Sequence, residues 1–226
     1  MKKVCTVLAG IVITATSFAQ FSFGVQGIGN LSDAKIKFED GQNVAKKMRV
    51  LPGAGLLAQY AVNEKLSIRS GVNFLQHGIT VKTAIPTSGG NVPAVNATAK
   101  SRLNYLQLPV NILATFSSEK RQFFAGAGGY LNYGISGKTK VEGEYISNGA
   151  TEKFAEETDA FKNDADGNPG LKKADWGIGA LAGVRMSNGL FANVGYQLGL
   201  SDISNSDNGG EYKSRGLQLT IGYFFK

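Results

Sequence analysis

Residues that could carry out catalysis are few in this sequence. His77 is its only histidine, whereas hydrolytic catalysis usually needs a histidine base within reach of a nucleophile. No histidines or carboxylates are paired at the spacing of a zinc or iron site. A single histidine near a strand end is more often a hydrogen-bonded or solvated residue. We therefore predict no enzymatic activity, no metal site and no cofactor.

The segment NDADGNPG at 163–170 is similar to part of a calcium loop. If Gly167 took the sixth position of an EF-hand loop, Lys162 and Lys173 would occupy the first and twelfth positions, which require oxygen ligands. The match fails, and a polar turn is the better interpretation. Glycine pairs such as GAG and GAGG lie within predicted strands and open no helix, so they do not indicate phosphate-binding loops.

The first residues have the features of a secretory signal. Lys2 and Lys3 precede an apolar run at 4–13, and the small residues Ser17 and Ala19 favour cleavage after Ala19. We predict a signal peptide at 1–19 and a single domain at 20–226. The only cysteine falls inside the signal, so the mature domain cannot form disulfides or thiolate metal sites.

The mature domain is mildly basic. Loss of the two leader lysines reduces the 24 basic residues to 22, against 17 acidic ones, for a net charge of +5. This weakly favours an anionic partner such as lipid headgroups or lipopolysaccharide. Nucleic acid is not among the partners we predict. Solvated loops are the more ordinary explanation of the charge.

Eight stretches of the mature domain alternate apolar residues with small or polar ones, and the gaps between them alternate short and long. Period two places the two sets on opposite faces of a strand. The second face carries glycine, Asn, Gln, Arg and Tyr, which suits the crowded lumen of a narrow barrel, and the apolar face suits lipid. We predict an all-β fold, an eight-stranded antiparallel up-and-down transmembrane β-barrel with short periplasmic turns and long extracellular loops.

The gaps define the turns and loops of this barrel. Short turns are predicted around Asn63 and Glu64, at SSEK and at Ser187-Asn188-Gly189, the last being of the favoured Asn-Gly type. Pro109 within a strand predicts a local irregularity, because proline lacks a ladder donor. The long extracellular loops are predicted at Asn30 to Lys47, Val81 to Lys100, Lys138 to Lys173 and Ser201 to Glu211.

The predicted lumen is the best place for a binding site. Its arginines need acceptors, which water, amides or Asp175 must supply. His77 and Tyr130 also fall on this face, and a polar plug that only stabilises the barrel is the main alternative. The candidate binding residues, a lumen-facing polar cluster, are Arg69, Asn73, Asn111, Arg185 and Gln197.

Blocks along nearly the whole mature chain resemble one known family. They include GAGLLAQYAVNEKLSIRSGVNFLQHG, LNYLQLPVNILATF, DWGIGALAGVRMSNGLFANVGYQLGLSDI and SRGLQLTIGYFFK. The resemblance is to the small outer-membrane β-barrels of Bacteroidota, the PorT-like or porin-family barrels. It implies a location in the outer membrane of a Gram-negative bacterium. The final strand also resembles the signal that barrel-assembly machinery reads, although Lys226 follows the last aromatic residue.

Three functions are compatible with this sequence. The first is a non-enzymatic barrel whose external loops bind a ligand or partner. The second is an accessory subunit of a protein-export or envelope-assembly machine, as the resemblance implies for some relatives. The third is a soluble lipocalin-like carrier or a lipid-active barrel enzyme, which would need an apolar cavity or a nucleophile next to a base. The expected partners are outer-membrane lipid, lipopolysaccharide, the barrel-assembly machinery and other envelope proteins.

Overall fold

Antiparallel β-strands form nearly all of the regular structure. The computed structural model describes residues 20–36, 45–85, 95–118, 121–147, 150–163, 170–204 and 212–225. These residues contain no helix long and apolar enough to cross a membrane. The strands are β1 Phe21–Ile36, β2 Ala45–Ala61, β3 Leu66–Ile85, β4 Val95–Ser118, β5 Arg121–Ser147, β6 Ala150–Asp159, β7 Ala174–Met186, β8 Leu190–Gly199 and β9 Tyr212–Phe224.

Eight of these strands close into a ring. Each pairs with its neighbour in the chain, except that β5 pairs with β7, and β1 pairs with β9 to complete the barrel. β6 lies outside the ring and pairs with the far part of β5, beyond the start of β7. The eight-stranded up-and-down antiparallel barrel predicted from the sequence is confirmed. The signal peptide predicted at 1–19 lies outside the described residues.

A continuous apolar belt surrounds the barrel. Large apolar side chains at alternate positions are exposed on its outer face, such as Leu56 at 64% and Ile112 at 61%. On β5 the belt runs from Phe123 to Tyr133, which corresponds to about 25 Å at a rise of about 3.3 Å per residue and a tilt of about 45°. That height equals the apolar band of a membrane barrel, about 25 Å.

The two ends of the barrel differ. We call them the short-turn end, where β2–β3, β4–β5 and β7–β8 connect, and the long-strand end. Gly189 in the last of these turns has φ +96°, and its N–H donates to the Met186 carbonyl at 3.0 Å. Glycine adopts this backbone conformation without the steric cost that a side chain brings, so the predicted Asn-Gly turn is confirmed.

At the long-strand end, three of the four predicted long loops are wrong in their bounds, whereas the loop predicted at 201–211 falls between β8 and β9. β5 continues to Ser147 and returns as β6, where a loop from 138 to 173 was expected, and β3 and β4 extend to Ile85 and from Val95. The physical reason is that water wets both faces of a strand beyond the belt. Apolar alternation then disappears although the backbone pairing continues. Of the predicted calcium-like segment, 164–169 lies outside the described residues.

Two of the local irregularities in the ladders lie next to proline. The β3–β4 ladder is interrupted between Ser70↔Val110 and Asn73↔Gln107, next to Pro109. The Ser70 hydroxyl donates to the Pro109 carbonyl at 2.8 Å. The register shifts between Met48 and Gly53 in β2, next to Pro52, and between Asn104 and Tyr105 in β4. The irregularity predicted at Pro109 is therefore confirmed.

The lumen contains two apolar clusters, one at each end. The short-turn cluster consists of Leu57, Leu113, Phe124, Phe191 and Phe224, with Leu181 packed against it. The long-strand cluster consists of Leu103, Tyr105, Ala160 and Ile203, with Phe161, Leu171 and Tyr212 packed against it. The sequence pattern predicts glycine and polar residues on the inward face of the strands. It does not predict these two apolar clusters.

Candidate functional site

The middle of the lumen is filled by a chain of amide side chains. The Gln26 amide donates to Asn73 at 2.7 Å, and Asn73 donates to Gln107 at 3.2 Å. Gln107 then donates to Asn132 at 3.0 Å, and Asn132 donates to Asp175 at 3.1 Å. These residues come from β1, β3, β4, β5 and β7, so the chain links opposite sides of the barrel. Buried amides that satisfy one another make the lumen rigid.

Asp175 is the acidic end of this chain and is 1% exposed. Its carboxylate accepts hydrogen bonds from Ser201 at 2.6 Å, Ser214 at 2.8 Å and Asn132 at 3.1 Å. Three donors stabilise a buried carboxylate where no cation is adjacent. Asp175 thereby connects β7 with β5, β9 and the segment that follows β8.

Arg69 lies in the lumen near the short-turn end and is 6% exposed. Its guanidinium donates twice to Gln59, at 3.1 and 2.9 Å, and lies over the rings of Phe124, Phe191 and Phe224 at 4.5 to 5.4 Å. Aromatic faces stabilise a desolvated cation. The acceptor for the Arg69 guanidinium is therefore the amide of Gln59. It is not the carboxylate of Asp175, which the sequence offered as one alternative.

The other predicted lumen residues are placed as follows. The structure brings Asn73 and Gln197 together through Gln107, which accepts from Asn73 and donates to Gln197. Asn111 pairs with Arg69 across the β3–β4 ladder. Arg185 lies apart from the amides, with its guanidinium 4.1 Å from the Phe224 ring centroid. The five predicted site residues thus divide between an amide network and an arginine and aromatic group.

The residues missed by sequence reasoning are Asn132, Gln107 and Gln218 as members of the network. Gln218 donates to Gln197 at 3.0 Å. All three alternate with apolar residues in strands, as do the residues that were chosen. Side-chain parity could have placed them in the lumen, but only the closed ring shows which amides meet.

One cavity of about 60 Å³ remains among these side chains, bordered by Gln26, Asn73, Asn111 and Gln197. It holds a few water molecules at most. The long-strand cluster caps the same lumen, where Leu103 and Tyr105 contact Ala160 and Ile203. The described side chains therefore leave no open path for a solute along the barrel axis.

His77 lies beneath the long-strand cluster and is 6% exposed. Its ring contacts Tyr105 edge-on, with centroids 5.4 Å apart. Neither ring nitrogen has a hydrogen-bond partner among the described residues. The described part of the chain also contains no group of three metal-binding side chains.

The β5–β6 hairpin projects beyond the belt and carries a ladder of ion pairs, which we call the charge ladder. Lys100 and Lys140 each approach Glu142 at 2.7 Å, Lys153 approaches Glu144 at 3.1 Å, and Lys138 pairs with Glu157. Hydrogen bonds from Lys100 and Lys140 lower the pKa of Glu142 from 4.5 to about 2. The exposed pairs are individually weak, but they share partners across three strands.

We expect the hairpin to loosen in acid. Because folding lowers the pKa of Glu142, its contribution is complete above pH 4.5 and is lost as the pH falls through about 2. Protection of the described residues of 138–159 against hydrogen exchange, corrected for the intrinsic rate at each pH, should therefore be lower at pH 2 than at pH 7 relative to the belt strands. Glu142→Gln should reproduce part of this loss at pH 7. Glu144→Gln, which removes one pair, is the control, and equal exchange in all three proteins would contradict the prediction.

The comparison with protein families agrees with the fold. A family model described as "Outer membrane protein beta-barrel domain" matches residues 18–205. OprG from Pseudomonas aeruginosa is 16% identical, with a TM-score of 0.44 over 90% of this chain and 95% of that one. Ail of Yersinia pestis is 15% identical, with a TM-score of 0.36 over 90% and 99%. No curated protein matches the chain.

Proposed function

Since the chain belongs to the outer membrane protein β-barrel domain family, we propose that it is a non-enzymatic barrel that binds a partner at its long-strand end. The chain is an integral outer-membrane protein. The observation that carries the proposal is the position of β6 as an edge strand. Among the described strands β6 pairs only with β5, and its other edge lies outside the ring.

An extended segment of another protein can add to an edge strand through backbone hydrogen bonds. β6 lies beyond the belt, and most of its side chains are exposed. Glu156 and Glu157 on β6 and Glu144 on β5 make this region acidic between its lysines. An extended, basic segment of another envelope protein therefore fits the edge best.

The filled lumen supports binding over transport. Amides and two apolar clusters occupy the barrel interior, and the remaining cavity of about 60 Å³ is bordered by polar side chains. A lipocalin-like carrier would need an apolar cavity of several hundred Å³. A lipid-active enzyme would need a nucleophile beside His77, where the contacting ring belongs to Tyr105.

The same proposal includes an orientation and the general partners of a barrel. We place the short-turn end in the periplasm and the hairpin outside the cell. Outer-membrane lipid contacts the belt, and lipopolysaccharide contacts the polar band that Arg102, Asn104 and Ser136 form above it. The last strand, with apolar Leu217, Leu219, Ile221 and Tyr223 at alternate positions, serves as the signal for barrel-assembly machinery.

The test is purification from native outer membranes in mild detergent, with adjacent proline variants of β6. In an antiparallel ladder one of two neighbouring N–H groups points to the paired strand and the other away from it. Ala155→Pro and Glu156→Pro therefore remove one of each. We expect one variant to lose the co-purifying protein while hydrogen exchange shows an intact hairpin. Retention of the partner by both variants would refute strand addition.

The accessory-subunit role and PorT-like membership are finer proposals that rest on the sequence blocks. Stoichiometric export or assembly components in the purified complex would support both. A lone barrel that changes gel mobility on heating would leave only the membrane-embedded role.

Purified protein in planar bilayers should give no stable conductance above that of the bare membrane, because the lumen is filled.

A further inference from the structure

Two arginines stand at the short-turn end of the barrel, in a recess whose described lining residues include no acidic side chain. The recess has a volume of about 400 Å³ and lies where β4, β5 and β7 end. Arg121 is exposed on the outer face, and Arg185 is partly buried on the lumen side. The hydroxyls of Ser117, Ser118 and Ser187 complete its polar border. We call this recess the arginine notch.

The notch keeps its positive charge unneutralised within the described residues. Neither Arg121 nor Arg185 forms an ion pair there. Arg185 is held in place by the Phe224 ring, 4.1 Å away, and Arg69 approaches the same ring at 5.4 Å. The two cations repel each other, so an anion beside Arg185 is favourable.

An apolar groove begins where the notch ends. It has a volume of about 610 Å³ on the outer face of the belt. Its floor is formed by Ala125, Ala182 and Ala192, and the rings of Phe116 and Phe123 border it. We call it the alanine groove. Small side chains between large ones leave a channel along the barrel wall that lipid can occupy.

The notch and the groove share the same strands. Arg121 pairs with Met186 across β5 and β7, and the next outward-facing pair is Phe123↔Val184, followed by Ala125↔Ala182. The groove thus starts about 7 Å from the notch, two residues along each strand. A cationic site at the edge of the belt therefore continues directly into an apolar one within it.

We propose that the arginine notch and the alanine groove together bind one glycerophospholipid from the leaflet at the short-turn end. The phosphate accepts hydrogen bonds from Arg121, Arg185 and the serine hydroxyls, and one acyl chain lies in the groove. Guanidinium groups match phosphate geometry better than other cations do. The proposal rests on the membrane location of the barrel and is independent of partner binding at β6.

The test uses the full barrel in a non-ionic detergent with native mass spectrometry and three probes. These are palmitoyl-oleoyl phosphatidylglycerol, palmitoyl-oleoyl glycerol without the phosphate, and inorganic phosphate. We expect one retained phosphatidylglycerol per barrel, weaker retention of the diacylglycerol, and phosphate binding only at much higher concentration. Equal retention of both lipids would overturn the role of the arginines. Phosphate that competes as strongly as the lipid would overturn the role of the groove.

Matched variants test whether lipid binding depends on the arginine notch or only on the positive charge of the barrel as a whole. Arg121→Gln should weaken phosphatidylglycerol binding about tenfold, the effect of losing one charge-assisted hydrogen-bonding group. Lys173→Gln, which removes an exposed cation at the opposite end of the barrel, should not. Ala182→Phe should fill the groove and reduce lipid binding without changing phosphate binding. Arg121 makes no described side-chain contact that folding requires, so its variant keeps the test valid if Arg185→Gln fails to fold. Equal losses in the Lys173 and Arg121 variants would refute a specific site.

Discussion

Replacing Gly128 by alanine will destabilise the barrel by about 3 kcal/mol, a large effect for one methyl group. Gly128 faces the lumen in β5, opposite Asn111 of β4. A Cβ atom there would lie 1.9 Å from the Val110 carbonyl oxygen and 2.7 Å from the Asn111 Cα. Both obstacles are backbone atoms, so no side-chain rotation can relieve the overlap. The strands must separate where β4 and β5 pair.

The adjacent residue provides the control for this prediction. A Cβ at Gly129 would point to the outer face, 3.6 Å from the Gly177 carbonyl oxygen, which is an ordinary contact. Gly129→Ala should leave stability unchanged or raise it slightly, because alanine restricts the unfolded chain. Urea unfolding in detergent micelles, followed by the emission of the single tryptophan, measures both variants. Equal stability of the two would show that the lumen is wider than described.

Replacing Asp175 by alanine will have the second large effect, a loss of about 3 kcal/mol or more. The carboxylate accepts from Ser201, Ser214 and Asn132 in a region with no access to water. Alanine leaves these donors without their shared acceptor. Asp175→Asn should cost less, since its amide oxygen still accepts and its NH₂ can donate to a serine hydroxyl.

Replacement of Asp175 should also loosen the segments next to it before it affects the rest of the barrel. Asp175 joins the segment after β8 to β9, so hydrogen exchange should increase at 200–204 and 212–215 before it does in the belt. Asp202→Ala is the matched control. Its carboxylate accepts from the exposed backbone N–H groups of Ser204 and Tyr212 at 3.0 and 2.9 Å, and water can replace it there. If the Asp175→Ala and Asp202→Ala variants showed the same hydrogen exchange, the hydrogen bonds of Asp175 would not be what holds these segments in place.

The two arginines show how far a strand pattern can define a site. Period two put Arg69 and Arg185 in the lumen, and both lie there. Their neighbours could not be predicted, because the phenylalanines that hold them come from three other strands. Phe124, Phe191 and Phe224 interrupt the expected polar face. A periodic pattern assigns a side chain to a face, but it does not identify the residues at the same height on strands across the barrel.

The hairpin at the long-strand end is a part of the fold that the strand pattern did not predict. Apolar alternation identified every strand of the belt, because lipid contacts one face and the lumen the other. Beyond the belt, water contacts both faces of β5 and β6, so the sequence from Lys138 to Asp159 carries charged residues without a strand pattern. Pairing there depends on the backbone ladder and the charge ladder. The position of β6 as an edge strand is therefore visible only in the folded molecule.

The sequence by itself determined the eight-stranded barrel, the face on which each belt residue lies and the tight turn at Gly189. These follow from local chemistry: period two, the contrast between lipid and lumen, and the freedom of glycine at positive φ. The tertiary structure decided the amide network that ends at Asp175, the aromatic support of the arginines, and the union of the arginine notch with the alanine groove. Each of these depends on the register between strands that are distant in the chain. Closure of the ring fixes that register.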